Sequence, residues 1–165
     1  MIILKEIPQK DKKSQNIYCE LFREIWSEYY KNKFSQEMLD FQFEFLTPEI
    51  IKEQMVFDKL QFFLIEKNDK NIGFLELKRK ENWIEISKIY LLKEYRLQKN
   101  GKKTFDSIKK LAKQEKKEKI IINIDEKEKE TINIFTTLNF KDIKQIARYI
   151  GMETYIFCRN LEYYL

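Results

Sequence analysis

Ile84-Glu85-Ile86-Ser87-Lys88-Ile89-Tyr90-Leu91, the turn Arg96-Leu97-Gln98-Lys99-Asn100-Gly101 and the basic stretch from Lys102 to Lys117 form the segment around which this chain is organised. The first part is rich in β-branched and aromatic residues. Its apolar side chains alternate until the phase changes near Lys88, which predicts a strand bulged at that point. From Lys102 onward, Phe105, Ile108, Leu111 and Ala112 fall three and four apart, on one face of a helix. A strand therefore feeds a helix through a polar turn, with Gly101 where the helix begins. A helix start offers unpaired N–H groups and the positive end of the macrodipole, so it suits a phosphate or pyrophosphate. Arg96, Lys99, Lys102 and Lys103 add positive charge around the same point.

A chain of 165 residues is the length of one ordinary domain and can bury a sizeable core. Charged residues make up 36% and hydrophobic residues 43%, so a folded core is expected and disorder is not. The net charge of +5 is thinly spread and reads as a lysine-rich surface rather than a nucleic-acid-binding face. There is no histidine, which excludes Ser-His-Asp triads and His-containing zinc sites. Cys19 and Cys158 belong to no CxxC pattern and read as buried, reduced thiols. Charge appears at Lys5 and Glu6, too early for the apolar segment of a signal peptide. No apolar run approaches the roughly 20 residues of a membrane span. A soluble, cytoplasmic protein with no metal, no membrane and no nucleic-acid partner is expected.

Outward from the central segment, Ile2 to Ile7 reads as an edge strand ended by Pro8. Tyr18, Leu21, Phe22, Ile25, Trp26 and Tyr29 give an amphipathic helix between Ser14 and Tyr30. Ser35 caps a second helix carrying Met38, Leu39, Phe41, Phe43, Phe45 and Leu46, and Thr47-Pro48-Glu49 opens a third. The phenylalanines read as core residues. Leu60 to Glu66 and Ile72 to Arg79 are strands joined by the turn Lys67 to Asn71, with Gly73 at a bulge. With the organising strand they make an antiparallel meander. Ile120-Ile121-Ile122-Asn123-Ile124 is nearly continuous in apolar residues, the mark of a strand covered on both faces. It follows a helix, so it pairs in parallel through a right-handed crossover. Ile132, Phe135 and Leu138 form the buried face of a short helix. Two final strands, Phe140 to Tyr149 and Glu153 to Leu161, flank Gly151-Met152.

This element order, with the turn at Arg96, resembles the GNAT superfamily of acetyl-CoA-dependent N-acetyltransferases over essentially the whole chain. The run from Ser87 to Arg96, and that from Phe34 to Gln54, look like a bacterial branch that includes polyamine acetyltransferases. The family's turn reads Gln or Arg, two residues, Gly, one residue, Gly or Ala. Arg96 and Gly101 match it, and Lys99 stands at the first glycine. The resemblance implies an α/β (α+β) fold, a mixed, mostly antiparallel sheet with one parallel pair, flanked by helices. It implies acetyl-CoA as donor, its pantetheine arm held along Ile89, Tyr90 and Leu91. Its pyrophosphate would be held by Arg96, Leu97, Gln98, Lys99, Asn100, Gly101 and Lys102. Aligned back from Phe140, Phe135 stands where the family often has a proton-donating tyrosine beside the cofactor. Glu128 replaces an asparagine, and Asn139 a glycine.

At Lys99 the side chain either crowds the pyrophosphate or pairs with it, and the backbone there needs φ > 0 if it follows the glycine. Glu85, eleven residues before Arg96, matches in position a strand glutamate that acts as general base in some members. The alternative is a solvent-facing glutamate opposite a lysine. Ser87, Tyr90, Tyr149 and Tyr155 are further polar groups that can line a site. Three readings are weighed: an N-acetyltransferase acting on a small-molecule or peptide amine, a catalytically weak relative that binds an acyl-CoA or a protein, and, supported only by net charge and least favoured, a nucleic-acid-binding or other interaction protein. Exposed edge strands near the carboxyl end permit a homodimer.

Overall fold

The computed structural model of the chain describes residues 1–96, 99–151 and 154–165. In chain order its elements are β1 (Ile2–Glu6), α1 (Lys12–Tyr30), α2 (Gln36–Glu44), α3 (Pro48–Val56), β2 (Leu60–Lys67), β3 (Lys70–Arg79) and β4 (Trp83–Leu91). Then follow α4 (Lys93–Arg96), α5 (Asn100–Gln114), β5 (Lys119–Asp125), α6 (Lys129–Thr137), β6 (Lys141–Gly151) and β7 (Thr154–Tyr164). The strands form one seven-stranded sheet in the order β1-β2-β3-β4-β5-β7-β6, flanked by the six helices. It is mostly antiparallel, with β4 and β5 as the parallel pair, so the expected α/β architecture is found. The residues pack as two units: Met1–Lys78 with Lys88–Ile108, and Arg79–Ser87 with Lys109–Leu165.

In the first unit the helices start where their caps dictate. Asp11, Ser35 and Thr47 each accept a hydrogen bond from the amide three residues on, at 3.0, 3.2 and 3.3 Å, and Pro48 occupies the first position of α3. The apolar face of α1 delivers Tyr18, Phe22, Ile25 and Trp26 to a core shared with Phe62, Leu64 and Phe74. Phe22 stacks on Trp26 and Phe74 at 4.6 and 5.1 Å between ring centroids. Not all the phenylalanines are core: Leu39 is the buried residue of α2, while Phe45 is 49% exposed. The β2–β3 hairpin closes on Asn68 and Asp69, both at positive φ (51° and 60°), the backbone of a two-residue type I′ turn. Register slips opposite Gly73, confirming the expected bulge.

In the second unit β5 is central, paired with β4 from Trp83–Lys119 to Ile86–Ile122 and with β7 from Lys119–Tyr164 to Asp125–Cys158. Its burial alternates. Ile120, Ile122 and Ile124 are buried, whereas Ile121 and Asn123 are half-buried. The strand is thus not fully covered on both faces, as its apolar run predicted; one face keeps an opening in which Asn123 can act. β6 and β7 form the terminal hairpin, and β7 runs to Tyr164, beyond the expected end.

Candidate active site

The turn after β4 lies in the first unit. The short helix α4, absent from the sequence reading, ends on Arg96, whose side chain is half-buried. The Arg96 Nε donates to the Leu91 carbonyl at 2.9 Å, its Nη2 pairs with Glu28 at 2.8 Å, and its guanidinium lies 5.1 Å from the Tyr29 ring centroid. Leu97 and Gln98 lie outside the described residues. Lys99 has φ 57°, so this lysine takes the left-handed backbone that a glycine adopts freely. α5 begins at Asn100, one residue before the expected Gly101. Its ladder opens with the Lys103 amide donating to the Lys99 carbonyl at 3.1 Å, which leaves the amides of Asn100, Gly101 and Lys102 ahead of it.

Asn100 is fully buried. Its Nδ2 donates to the Tyr95 carbonyl at 2.8 Å, and its own carbonyl accepts from Thr104 at 2.8 Å, so the side chain pins the helix start. Its Oδ1 has no partner among the described residues. A Cβ added at Gly101 would meet nothing within 4 Å, and Lys99, Lys102 and Lys103 are exposed. Leading amides, open space at Gly101 and three lysines fit an anionic diphosphate.

The strand before this turn is held at two points. A Cβ at Gly73 would lie 2.2 Å from the Tyr90 carbonyl, so only glycine allows β3 and β4 to approach this closely; the Leu92 amide donates to Ile72 nearby at 2.9 Å. The phase change at Lys88 sends its Nζ to Glu76, 2.8 and 3.0 Å from the two carboxylate oxygens. Glu76 is only 2% exposed and also accepts from the Tyr18 hydroxyl. Burial and this carboxylate hold the Tyr18 phenol well above its ordinary pKa. Of the expected pantetheine residues, Ile89 and Tyr90 are half-buried and Leu91 is buried. The Tyr90 hydroxyl meets that of Tyr30 at 2.7 Å and its ring packs against Trp26 and Phe74, so its side chain is committed to the aromatic core.

The second unit contains Glu85. It faces Ile121 of β5 in register, and its Oε1 accepts from Asn123 Nδ2 at 3.4 Å. Asn123 Oδ1 in turn accepts from Asn160 Nδ2 at 2.8 Å, linking side chains of β4, β5 and β7. Glu85 and Ser87 of β4, Asn123 of β5 and Ile146, Ala147 and Arg148 of β6 line a cleft of about 210 Å³. Asn123 and Arg148 were missed from sequence, although Asn123 signalled itself as the lone amide in an isoleucine run. Phe135 is buried with its ring edge-on to Phe140 at 5.1 Å, and offers no hydroxyl. Glu128 precedes α6 without a side-chain cap, and Asn139 has φ 69°, a left-handed conformation that a glycine adopts freely. The side chains of Tyr149 and Tyr155 lie outside the described residues.

Cys19 and Cys158 are free and buried, as expected; burial pushes the Cys19 thiol up to about 11 and raises that of Cys158. Among the described residues no cluster of acidic or cysteine side chains can hold a metal ion, and no helix is long and apolar enough to cross a membrane.

No curated protein sequence matches the chain. Among solved structures, a PaiA N-acetyltransferase from Thermoplasma acidophilum, in complex with coenzyme A, is similar at 19% identity and TM-score 0.78, over 100% of this chain and 99% of that one. An N-acetyltransferase from Staphylococcus aureus Mu50 is similar at 19% identity and TM-score 0.73, covering 99% and 97%. A chimera of the Vibrio cholerae spermidine N-acetyltransferase SpeG with hSSAT is similar at 12% identity and TM-score 0.69, covering 99% and 94%. These likenesses are of fold. The family model described as acetyltransferase (GNAT) domain matches residues 30–152, which run from the end of α1 through β6 and include the turn at Arg96 and the residues of the Glu85 cleft. On that match the chain belongs to the GNAT acetyltransferase family.

Proposed function

We propose that the chain is an acetyl-CoA-dependent N-acetyltransferase that acetylates a primary amine, on a small molecule or a peptide, by direct attack. The observation that carries this reading is the Glu85 carboxylate lining a cleft and oriented by Asn123. The donor is supported by the family and by the coenzyme A complex of the Thermoplasma protein, and an amine acceptor by the spermidine N-acetyltransferase chimera. Acetyl-CoA, when bound, supplies a thioester-activated acetyl group. The leading amides of α5 at Asn100, Gly101 and Lys102, with Leu97, Gln98 and Lys99 of the same turn, hold its pyrophosphate, while the backbone of Ile89 and Leu91 holds the pantetheine arm. An amide of that strand donates to the developing oxyanion. Glu85 takes the proton from the attacking amine, directly or through a water, and Asn123 keeps the carboxylate aimed. Arg96 positions the turn through Leu91 and Glu28. The free buried thiols support a cytoplasmic location, and the edge strand β6 is open to pairing in a homodimer.

Glu85→Gln tests the chemistry. Thiol release with an amine panel is expected to fall about 10²-fold to 10⁴-fold; unchanged turnover from pH 6 to 9 would remove Glu85 as the base. A second reading, a weak or inactive relative that binds an acyl-CoA or a protein, is favoured by Phe135, which has no proton to give. Acetyl-CoA binding with no thiol release from any amine is its expected signature.

A further inference from the structure

The cleft carries two opposite charges that do not meet. Arg23, Arg79, Arg96 and Arg159 each hold a protein oxygen within 3.0 Å. Arg148, by contrast, is exposed and has no hydrogen-bond or ion-pair partner among the described residues. It lines the same cleft as Glu85, whose hydrogen bond goes to Asn123. β4 and β6 are three places apart in the order β4-β5-β7-β6, roughly 14 Å in a flat sheet at about 4.8 Å per strand. Both residues line the cleft, with Asn123 of the intervening β5 and the apolar Ile146 and Ala147 beside Arg148 on β6.

We infer that the acceptor is an amine that also bears a carboxylate, with Arg148 holding the carboxylate while the amine is presented to Glu85. This inference rests on the proposed amine acetylation. A guanidinium binds a carboxylate through paired, charge-assisted N–H···O bonds. The same guanidinium repels the far ammonium of a diamine or polyamine, so the cleft selects against the acceptors of purely cationic type. The spacing favours an amine and a carboxylate separated by several bonds, as in an ω-amino acid or a short peptide, over an α-amino acid.

The test is a matched series: ω-amino acids of increasing length, α-amino acids and dipeptides, against n-alkylamines and diamines of equal length, each with acetyl-CoA. The native protein is expected to favour the carboxylate-bearing amine in kcat/KM, and Arg148→Gln to reduce that preference about 10-fold to 100-fold. Arg148→Glu is expected to turn the preference towards diamines. A native preference for diamines, or a preference unmoved by Arg148→Gln, overturns the inference and leaves amine acetylation standing. If no amine is acetylated, the functional reading fails on its own. Calorimetric binding of the longest ω-amino acid then still decides the inference: it is expected with the native protein and lost in Arg148→Gln, and no binding to the native protein overturns it.

Discussion

Replacing Lys88 by methionine removes the ammonium that faces Glu76 and leaves a carboxylate, 2% exposed, with the Tyr18 hydroxyl as its remaining donor among the described residues. Breaking a buried ion pair by removing one partner costs about 3–5 kcal/mol, because the other charge stays desolvated. The Lys88 side chain is 24% exposed, so water reaches the pair and the lower end, about 3 kcal/mol, is expected. For a chain of this size that lowers Tm by roughly 6–12 °C. The companion Lys88→Met/Glu76→Gln removes both charges but keeps an acceptor for Tyr18. It is expected to recover about 2 kcal/mol of the loss, a coupling that a double-mutant cycle isolates from lost packing. Urea unfolding at pH 7, followed by circular dichroism, measures all three proteins. A loss under about 0.5 kcal/mol in Lys88→Met, or no recovery in the double variant, would refute the view that an unpaired buried charge is at stake.

At Gly73 an added methyl would collide with the Tyr90 carbonyl at 2.2 Å, so Gly73→Ala is expected to destabilise by about 1–3 kcal/mol in the same assay, and a neutral result would refute the close approach. Gly101→Ala meets open space and is expected to keep full stability while weakening acetyl-CoA binding in calorimetry; unaltered affinity would argue against cofactor contact at that residue. Lys99→Gly relieves a left-handed lysine and is expected to be more stable than Lys99→Ala by about 1 kcal/mol, with equal stabilities counting against the strain. Cys19 holds its proton to about pH 11 when folded but to about 8.5 when unfolded. Above about pH 8.5 the unfolded state therefore binds fewer protons, and stability falls as pH rises. Cys19→Ala should flatten that decline between about pH 8.5 and 10; an identical decline would refute the assignment.

Much of the fold was legible because its signals are local. Ser35, Thr47-Pro48 and Asn68-Asp69 fix element ends through hydrogen bonds and dihedral preferences within three residues. The parallel pairing of β5 followed from the intervening helix. What stayed hidden depends on contacts between residues distant in sequence. Nothing near Glu76 in sequence announces Tyr18, 58 residues away, or Lys88. Arg148 was missed because the Glu85 cleft draws on three strands distant in sequence. Arg96 was read as a cofactor residue, and the contacts of its side chain with Leu91 and with Glu28, 68 residues before it, were not announced by the sequence around it. At Lys99 the sequence left two options, and the φ of 57° shows a lysine on the backbone path of a glycine.

The account stands on acetyl-CoA binding at the start of α5, and isothermal titration of the intact protein with acetyl-CoA tests it most directly. Saturable one-to-one binding is predicted. At a free concentration 100-fold above Kd it should stabilise the protein by about 2.7 kcal/mol, or roughly 5–10 °C in Tm. No heat of binding and no thermal shift at millimolar acetyl-CoA would contradict it.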